Sequence, residues 1–284
     1  MTALGVDLGA SKTILVVVDG DRVETVREDT PREGMVEFVD GLVSSAWSED
    51  IGRIGLSVAG TVDRREEEIL ATPNLTGLAG LPLKRHLEGR GVPVVLENDG
   101  NCFTYGEFVR GAGRDRSSAV GLTLGTGVGA GAVLGGEPLR GAFGSGFEVG
   151  HMIIREGGAR CSCGSRGCLE AYASNQLFLR EGIDAREAQL LAEKGDGDSL
   201  RLYRELGKWL GIGISNLVNL LDPEVVILGG GLSAAYHLFI EEVRSTIQSN
   251  VLSPASREGV EVVRADLGDL APAIGAALLP ARSV

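Results

Sequence analysis

The chain has 284 residues, which is enough for two lobes that each bury a core. Its formal net charge of −12 disfavours non-specific binding to nucleic acid or to an anionic membrane surface. No apolar run approaches the roughly 20 residues of a membrane-spanning helix, and the chain starts as a strand rather than as a secretory signal. We therefore expect a cytoplasmic protein with no nucleic-acid or membrane partner, whose four cysteines are thiols or metal ligands rather than disulfides.

The first part of the sequence predicts an α/β lobe that ends at a glycine-rich hinge. Apolar runs rich in Val, Ile and Leu predict strands, and apolar positions at helical spacing predict helices. The predicted strands cover residues 4–7, 12–19, 22–28, 51–58 and 92–96, and the predicted helices cover 33–47 and 100–110. The hinge is expected at residues 111–114, which read GAGR.

The second part opens with an internal echo of the first. Residues 121–136 read GLTLGTGVGAGAVLGG and repeat the strand, glycine turn and strand of residues 5–20, which read GVDLGASKTILVVVDG. Further strands are predicted over residues 119–124, 128–134, 225–228 and 261–264, and helices over 200–221, 234–248 and 271–279. Two copies of one unit predict two related lobes, whose turns offer backbone N–H groups and a hydroxyl to phosphates from opposite sides of a cleft.

One segment combines a histidine with three of the four cysteines. His151, Cys161, Cys163 and Cys168 fall within 18 positions, with glycines between the last two cysteines. This set matches a closed Cys3His zinc site, in which four protein ligands leave no open position for catalysis. The zinc is therefore expected to be structural, and a scattered set of thiols in a glycine-rich loop is the alternative.

Polar residues at predicted strand ends are the other candidates for chemistry. Asp99 follows a buried strand, and its carboxylate could accept a hydroxyl proton or instead cap the helix that follows. Asp7 with Ser11 could hold Mg2+ and a phosphate, and the glycine turn at residues 125–127 could form an anion-binding nest. Both turns could also be ordinary hairpins. The triple glycine at residues 229–231 suits a flat ring lying on bare backbone, or a tight link from strand to helix.

Together these motifs resemble those of the ROK family of bacterial and archaeal sugar kinases, in the superfamily of actin, hexokinase and the heat-shock chaperones. The resemblance covers nearly the whole chain and is carried, in chain order, by DLGASKT, AGTVD, TPNLTG, ENDGN, TLGTGVGAG, FEVGH, CSCGSRGCLE and ILGGGLS. It implies an α/β fold of two ribonuclease H-like, actin-like ATPase lobes with a cleft between them. Residues 1–110 would form the small lobe, joined by a C-terminal helix at 271–284, and residues 111–270 the large lobe with the zinc loop.

The resemblance also implies an activity and roles for individual residues. The expected reaction is phosphorylation of a hexose at its 6-hydroxyl by ATP and Mg2+, with glucose as the sugar and Asp99 as general base. The sugar contacts would be Asn74, Asn98, Asp99, Glu148, His151 and Glu170. The nucleotide and Mg2+ contacts would be Asp7, Gly9, Ser11, Lys12, Gly125, Thr126, Gly127, Gly230 and Gly231. Zinc would bind His151, Cys161, Cys163 and Cys168, and the chain would form a homo-oligomer, a dimer or tetramer.

Five positions depart from the family pattern. Ala10, Ser11, Ala59 and Gly100 are small changes that keep the groups the chemistry needs. Phe147 is a larger change, because it stands where the family usually has glycine before the sugar-binding glutamate. Its ring could reshape the pocket, so the choice of hexose stays open.

Three alternatives to a glucose kinase remain. The first is a kinase of the same family for N-acetylmannosamine, N-acetylglucosamine, fructose or allose, with ATP, ADP or polyphosphate as the donor. The second is a sugar-sensing transcriptional regulator, a class that carries a preceding helix-turn-helix domain, whereas this chain begins at its first strand. The third is a non-catalytic sugar-binding protein, which the intact Asp99 and the two phosphate turns disfavour.

Overall fold

The computed structural model of the chain describes residues 1–63, 68–72, 75 and 77–280. Its elements fall into two lobes, each built on a five-stranded sheet. The N-terminal lobe contains β1 (Thr2–Leu8), β2 (Lys12–Asp19), β3 (Arg22–Asp29), β4 (Ile51–Val58), β5 (Thr61–Val62), β6 (Ile69–Ala71), β7 (Val94–Asn98), α1 (Met35–Ser45), α2 (Leu83–Glu88) and α3 (Asp99–Arg110). The C-terminal lobe contains β8 (Ser118–Leu124), β9 (Val128–Leu134), β10 (Glu137–Pro138), β11 (Val225–Gly229) and β12 (Glu261–Arg264). Its helices are α4 (Glu170–Ala173), α5 (Asn175–Arg180), α6 (Ala185–Ala192), α7 (Gly197–Leu221), α8 (Tyr236–Asn250) and α9 (Pro254–Gly259).

The two main sheets have the same topology. The strand order is β3-β2-β1-β4-β7 in the N-terminal lobe and β10-β9-β8-β11-β12 in the C-terminal lobe. In each, the first three strands of the lobe form an antiparallel meander, and two further strands pair parallel beyond the first. The internal echo in the sequence therefore marks a true structural duplication, and the prediction of two related α/β lobes is confirmed.

A buried core accompanies each sheet. In the C-terminal lobe, the 25-residue α7 packs along α8 and contributes Leu206, Leu210 and Ile214, each fully buried, to the largest apolar cluster. In the N-terminal lobe, the last helix, α10 (Ala271–Leu278), returns to cover β1 and β4. Gly5 and Gly55 allow this approach, because a Cβ at either position would collide with carbonyl groups of α10.

The connections between the lobes meet at one carboxylate. The first connection follows α3, and the second precedes α10. Glu107 in α3 is fully buried and accepts hydrogen bonds from Ala112 N at 2.9 Å, Asp266 N at 3.1 Å and Leu267 N at 2.8 Å. Glu107 thus joins the residues predicted as a hinge to the returning chain.

The sequence missed five short helices but placed the long elements and the eight-residue α10. Predicted strands 51–58, 128–134 and 261–264 coincide with β4, β9 and β12. Helices α2, α4, α5, α6 and α9 have four to eight residues, too few to display helical periodicity. Helix α1 starts two residues later than predicted because Gly34 takes a left-handed φ of 67°. Among the described residues, no helix is both long and apolar enough to span a membrane.

Candidate active site

Two adjoining cavities between the sheets share Asp99. The larger, of about 450 Å³, is lined by residues of both lobes, namely Ala59, Gly60, Thr61, Ala71, Asn98, Asp99, Asn101, Gly129, Ala130, Gly144, Ser145, Gly146, Phe147, Glu148 and His151. The smaller, of about 280 Å³, is lined by Asp99, Thr123, Leu124, Gly125, Thr126, Gly127, Val128, Gly129, Glu170 and Gly230. A carboxylate common to both cavities can contact a group in each of them.

Asn98, rather than Asp99, caps helix α3. The Asn98 side-chain oxygen accepts hydrogen bonds from Gly100 N at 2.8 Å and Asn101 N at 3.3 Å, and its amide donates to Gly60 O at 3.0 Å. The alternative in which Asp99 is the N-cap is therefore wrong. Asp99 is the first residue of the helix, where its carboxylate lies at the positive end of the helix dipole.

Two buried aspartates, Asp99 on the cavities and Asp7 at the end of β1, have raised pKa values. Burial raises the pKa of Asp99 to about 6, with a smaller contribution from the charge of Glu148. Burial also raises the pKa of Asp7 to about 7, although the Ser57 hydroxyl donates to Asp7 at 2.6 Å and lowers it, and the charge of Asp99 adds to the rise. Carboxylate pairs that repel each other in this way are suited to bind a divalent cation, and oxygen ligands fit Mg2+.

A buried ion pair supports the strand end that carries Asp99. Glu97 Oε1 accepts hydrogen bonds from Asn98 N and the Asn101 amide, both at 3.1 Å. Its Oε2 lies 2.6 Å from Arg140 Nε, and the two side chains are 1% and 12% exposed. Arg140 comes from the C-terminal lobe, just before the loop that lines the larger cavity, and also donates to Pro280 O at 3.2 Å. Sequence reasoning missed this pair, although a glutamate ending a buried strand signals the need for a cation.

The residue that precedes Glu148 has a strained backbone conformation. Phe147 has a φ of 73°, in the left-handed region that favours glycine. It packs against the apolar core of the C-terminal lobe and also lines the larger cavity, as Glu148 and His151 do. The structure therefore brings together Asn98, Asp99, Glu148 and His151 from the predicted sugar contacts. The predicted contact Asn74 lies outside the described residues.

The four predicted metal ligands converge. Their donor atoms all lie within 4.8 Å of one another. The Cys163 and Cys168 sulfurs are 3.7 Å apart, and His151 Nδ1 lies 3.8 Å from the Cys161 sulfur. A tetrahedral site with Zn–S bonds of about 2.3 Å places its sulfurs about 3.8 Å apart, so the donors and their spacing fit zinc. Two glycines with positive φ, Gly164 and Gly167, turn the chain around the cluster.

Glu170 shares the smaller cavity with Asp99, whereas the predicted sugar contacts Asn98, Glu148 and His151 line the larger one. Its Oε1 accepts hydrogen bonds from Ser162 Oγ at 2.7 Å and Gln176 Nε2 at 3.1 Å, and its Oε2 accepts one from Val128 N at 3.2 Å. The carboxylate is buried next to Gly127 and lines the smaller cavity instead of the larger one. It therefore connects the cysteine loop to the second glycine turn, a contact that sequence reasoning did not anticipate.

The two glycine turns differ in their surroundings. Gly125, Thr126, Gly127 and Gly230 line the smaller cavity. Gly125 and Thr126 also border a third cavity of about 600 Å³, together with Gly231 and side chains from α6 and α7.

In the first turn, Gly9 N donates to Lys12 O at 3.1 Å. The exposed Lys12 ammonium lies 2.5 Å from Asp29. Neither Ser11 nor Lys12 lines these three cavities.

Similar proteins include enzymes and regulators. The glucokinase of Streptomyces coelicolor is 33% identical over 304 positions, which cover 96% of each chain. The ROK hexokinase of Thermus thermophilus has a solved structure with a TM-score of 0.87 and 36% identity, covering 98% of this chain and 97% of that one. A ROK glucokinase of Streptomyces griseus, solved with glucose and AMPPNP, has a TM-score of 0.81 and 33% identity, with 98% of each chain covered. The xylose repressor of Bacillus subtilis is 29% identical over 96% of this chain and 75% of its own length.

The match to a family profile extends over nearly the whole chain. The profile of the ROK family covers residues 3–283. This range takes in both sheets, the cysteine loop and the returning helix α10. The chain therefore belongs to the ROK family.

Proposed function

We propose that this chain transfers the γ-phosphoryl group of ATP to the 6-hydroxyl of a hexose, with glucose as its preferred sugar. The observation that carries the proposal is the position of Asp99, which lines both the larger and the smaller cavity. A sugar in one and a phosphate chain in the other would meet at this carboxylate. The similarity to glucokinases from two Streptomyces species supports glucose as the acceptor.

In the proposed reaction Asp99 acts as the general base. Its carboxylate takes the proton of the 6-hydroxyl as that oxygen bonds to the γ-phosphorus, while the bond from phosphorus to the leaving ADP oxygen breaks. A pKa of about 6 leaves Asp99 ionised at neutral pH, yet more basic than an ordinary aspartate. Glu148 and His151 face the same cavity and would bind other hydroxyls of the sugar.

The second glycine turn would hold the phosphates. Residues 125–127 line the smaller cavity, and because Gly125 N donates within the turn to Gly127 O, the N–H groups of Thr126 and Gly127 would stabilise anionic oxygens there. Asp7 would hold Mg2+, directly or through water, and that ion would neutralise charge that develops on the phosphates. The third cavity, beside Gly231, would accept the adenosine.

We also propose that the Cys3His cluster binds a structural zinc ion. Four protein ligands complete a tetrahedron, so the metal would fix the loop rather than take part in phosphoryl transfer. His151 lies both in the cluster and on the larger cavity, so zinc would also fix its imidazole ring against the sugar. Metal analysis of the purified protein should find about one zinc per chain.

The test of the proposal is a panel of sugars assayed with ATP, ADP and polyphosphate. We expect ATP with glucose to give the highest kcat/KM. Glucose phosphorylated no faster than N-acetylmannosamine or N-acetylglucosamine would contradict the preference but not the kinase class. No ATP-dependent phosphorylation of any hexose would favour the regulators, to which this chain is also similar.

The position of Phe147 favours a second candidate function, in which the kinase prefers a sugar other than glucose. Its strained φ and its place on the larger cavity suggest that the ring is retained for its effect on the pocket. The same panel run on Phe147→Gly separates the two cases. A change in the ratio of kcat/KM between glucose and its C2-substituted relatives of about tenfold or more indicates that Phe147 selects the sugar.

We further propose a cytoplasmic homo-oligomer, as the resemblance to the family implies. Light scattering on the purified protein tests the assembly, since dimers and tetramers differ twofold in mass. A monomer at micromolar concentration contradicts that part of the proposal.

A further inference from the structure

Glu170 makes contact with two segments that have separate proposed roles. Its Oε1 accepts a hydrogen bond from the hydroxyl of Ser162, which stands between two of the metal ligands. Its Oε2 accepts the backbone N–H of Val128, which ends the second glycine turn. One buried side chain therefore spans from the cysteine loop to the turn on the smaller cavity.

A second contact ties the same region to the turn. Asn175 N, at the start of α5, donates to Gly125 O at 2.9 Å. The turn is thus held at both ends by the segment that follows the cysteine loop. A displacement of this segment would move the backbone N–H groups of residues 125–128 together.

The charge of Glu170 makes its hydrogen bonds important for an anionic ligand. The carboxylate lies against Gly127, so a phosphate in the smaller cavity would meet a neighbouring negative charge. Three donors reach Oε1, namely the Ser162 hydroxyl, the Gln176 amide and, at 3.5 Å, the Cys161 thiol. Metal ligation removes the thiol proton, so only the Ser162 and Gln176 donors would then remain.

We propose that Ser162 is a positioning residue through which the cysteine loop sets the affinity of the second glycine turn for the phosphates of the nucleotide. The inference rests on the proposed function, since it assumes ATP in the smaller cavity. Ser162 holds the Glu170 carboxylate in the position from which it accepts a hydrogen bond from Val128 N. The cysteine loop therefore serves the nucleotide side of the cleft as well as the sugar side.

The test is calorimetric binding of AMPPNP to wild type and to Ser162→Ala, with the zinc content of each protein measured beside it. We expect Ser162→Ala to raise the Kd for AMPPNP about five- to tenfold, as for loss of a hydrogen bond to a charged group, and to leave the zinc content unchanged. Ser162→Thr keeps the hydroxyl and should restore AMPPNP binding. Ser165→Ala is the matched control, because that hydroxyl lies beside the Cys168 thiol instead.

Removing zinc from the wild type with a chelator should weaken AMPPNP binding by a similar factor. The same treatment of Ser162→Ala should add little, because both changes break one connection. Full additivity of the two effects contradicts the inference. So does a Ser162→Ala protein that has lost its zinc, since Ser162 would then serve the metal site.

The remaining outcomes separate this inference from the proposed function. An unchanged Kd for AMPPNP in Ser162→Ala, or a rise that Ser165→Ala matches, overturns the coupling while hexose phosphorylation by the wild type can stand. A wild type that binds AMPPNP with the expected dependence on Ser162, but phosphorylates no hexose, supports the coupling and overturns the proposed function.

Discussion

The carboxyl ends of equivalent strands carry different chemistry in the two lobes. Strands β1 and β8 hold the same place in their sheets, and the repeat in the sequence aligns Asp7 with Thr123. Elsewhere in the sheets, β7 of the N-terminal lobe leads into Asp99, and β11 of the C-terminal lobe, which is the counterpart of β4, ends in glycines. At these strand ends the duplicated scaffold therefore carries carboxylates in the N-terminal lobe and bare backbone in the C-terminal lobe, whose cavity-lining Glu148 and Glu170 lie outside the sheet. The carboxylates suit a cation and the reacting hydroxyl of a sugar, and the bare backbone suits phosphates and a nucleotide.

Substitutions of Asp7 and Thr123, the aligned pair, should differ most in their effect on activity. Asp7→Asn removes the charge proposed to hold Mg2+, and we expect kcat with ATP to fall about 10²- to 10³-fold. Thr123→Val removes only a neutral hydroxyl from the smaller cavity, so a loss below about tenfold is expected. Steady-state kinetics at several Mg2+ concentrations measure both. Equal losses would mean that the two strand ends are not chemically distinct.

The carboxylates of the N-terminal lobe depend on a cation from the other lobe. Arg140→Met removes the guanidinium that lies 2.6 Å from the buried Glu97 carboxylate, and we expect a loss of about 3 kcal/mol in the free energy of unfolding. Arg116→Met is the control, because its ion pair with Glu261 is solvent-exposed and should be worth less than about 1 kcal/mol. Urea denaturation measures both variants. Similar small losses would show that the buried pair does not hold the lobes together.

The raised pKa of Asp7 predicts a gain in stability when its charge is removed. The pKa of Asp7 rises from 3.8 to about 7 on folding, so ionisation opposes folding, and the opposition grows from pH 4 to pH 7. Asp7→Asn should therefore raise the free energy of unfolding by about 2 to 4 kcal/mol at pH 8, and the gain should vanish below pH 4. Denaturation across this pH range checks the sign. A variant less stable than wild type at pH 8 would refute the conclusion that the ionised Asp7 carboxylate destabilises the folded protein.

The smallest effect is expected at the surface of the first turn. Lys12→Met breaks an exposed ion pair with Asp29 and should change the free energy of unfolding by less than about 0.5 kcal/mol. Its effect on the KM for ATP decides whether the first turn also serves the phosphates. A rise of tenfold or more would make the two turns equivalent in function, and a rise below threefold would leave the second turn as the main phosphate site.

Local sequence patterns predicted most of the scaffold. Strand ends such as those of β4 and β9 followed from apolar runs, and the metal cluster followed from the spacing of its four ligands. Contacts between distant segments could not be read in this way. The pairing of Glu97 with Arg140 joins residues 43 positions apart, and Glu170 reaches Val128 across 42.

Side-chain direction was also beyond the sequence. The pattern marked residues 97–99 as polar but could not tell which side chain caps α3 and which faces the cleft. Asn98 is the cap, and its other hydrogen bond depends on the carbonyl of Gly60, which only the folded lobe brings near. The left-handed φ of Phe147 likewise arises from the tertiary path of its loop.

The proposed role of Asp99 is the central claim, and the most direct measurement is the kcat/KM for glucose phosphorylation by Asp99→Asn. The variant should lose about 10²- to 10⁴-fold in activity, as expected for a general base, while it still binds glucose and AMPPNP. Asp198→Asn, at an exposed position on α7, should keep the activity of the wild type. Turnover by Asp99→Asn within a few-fold of wild type would contradict the assignment of Asp99 as the base.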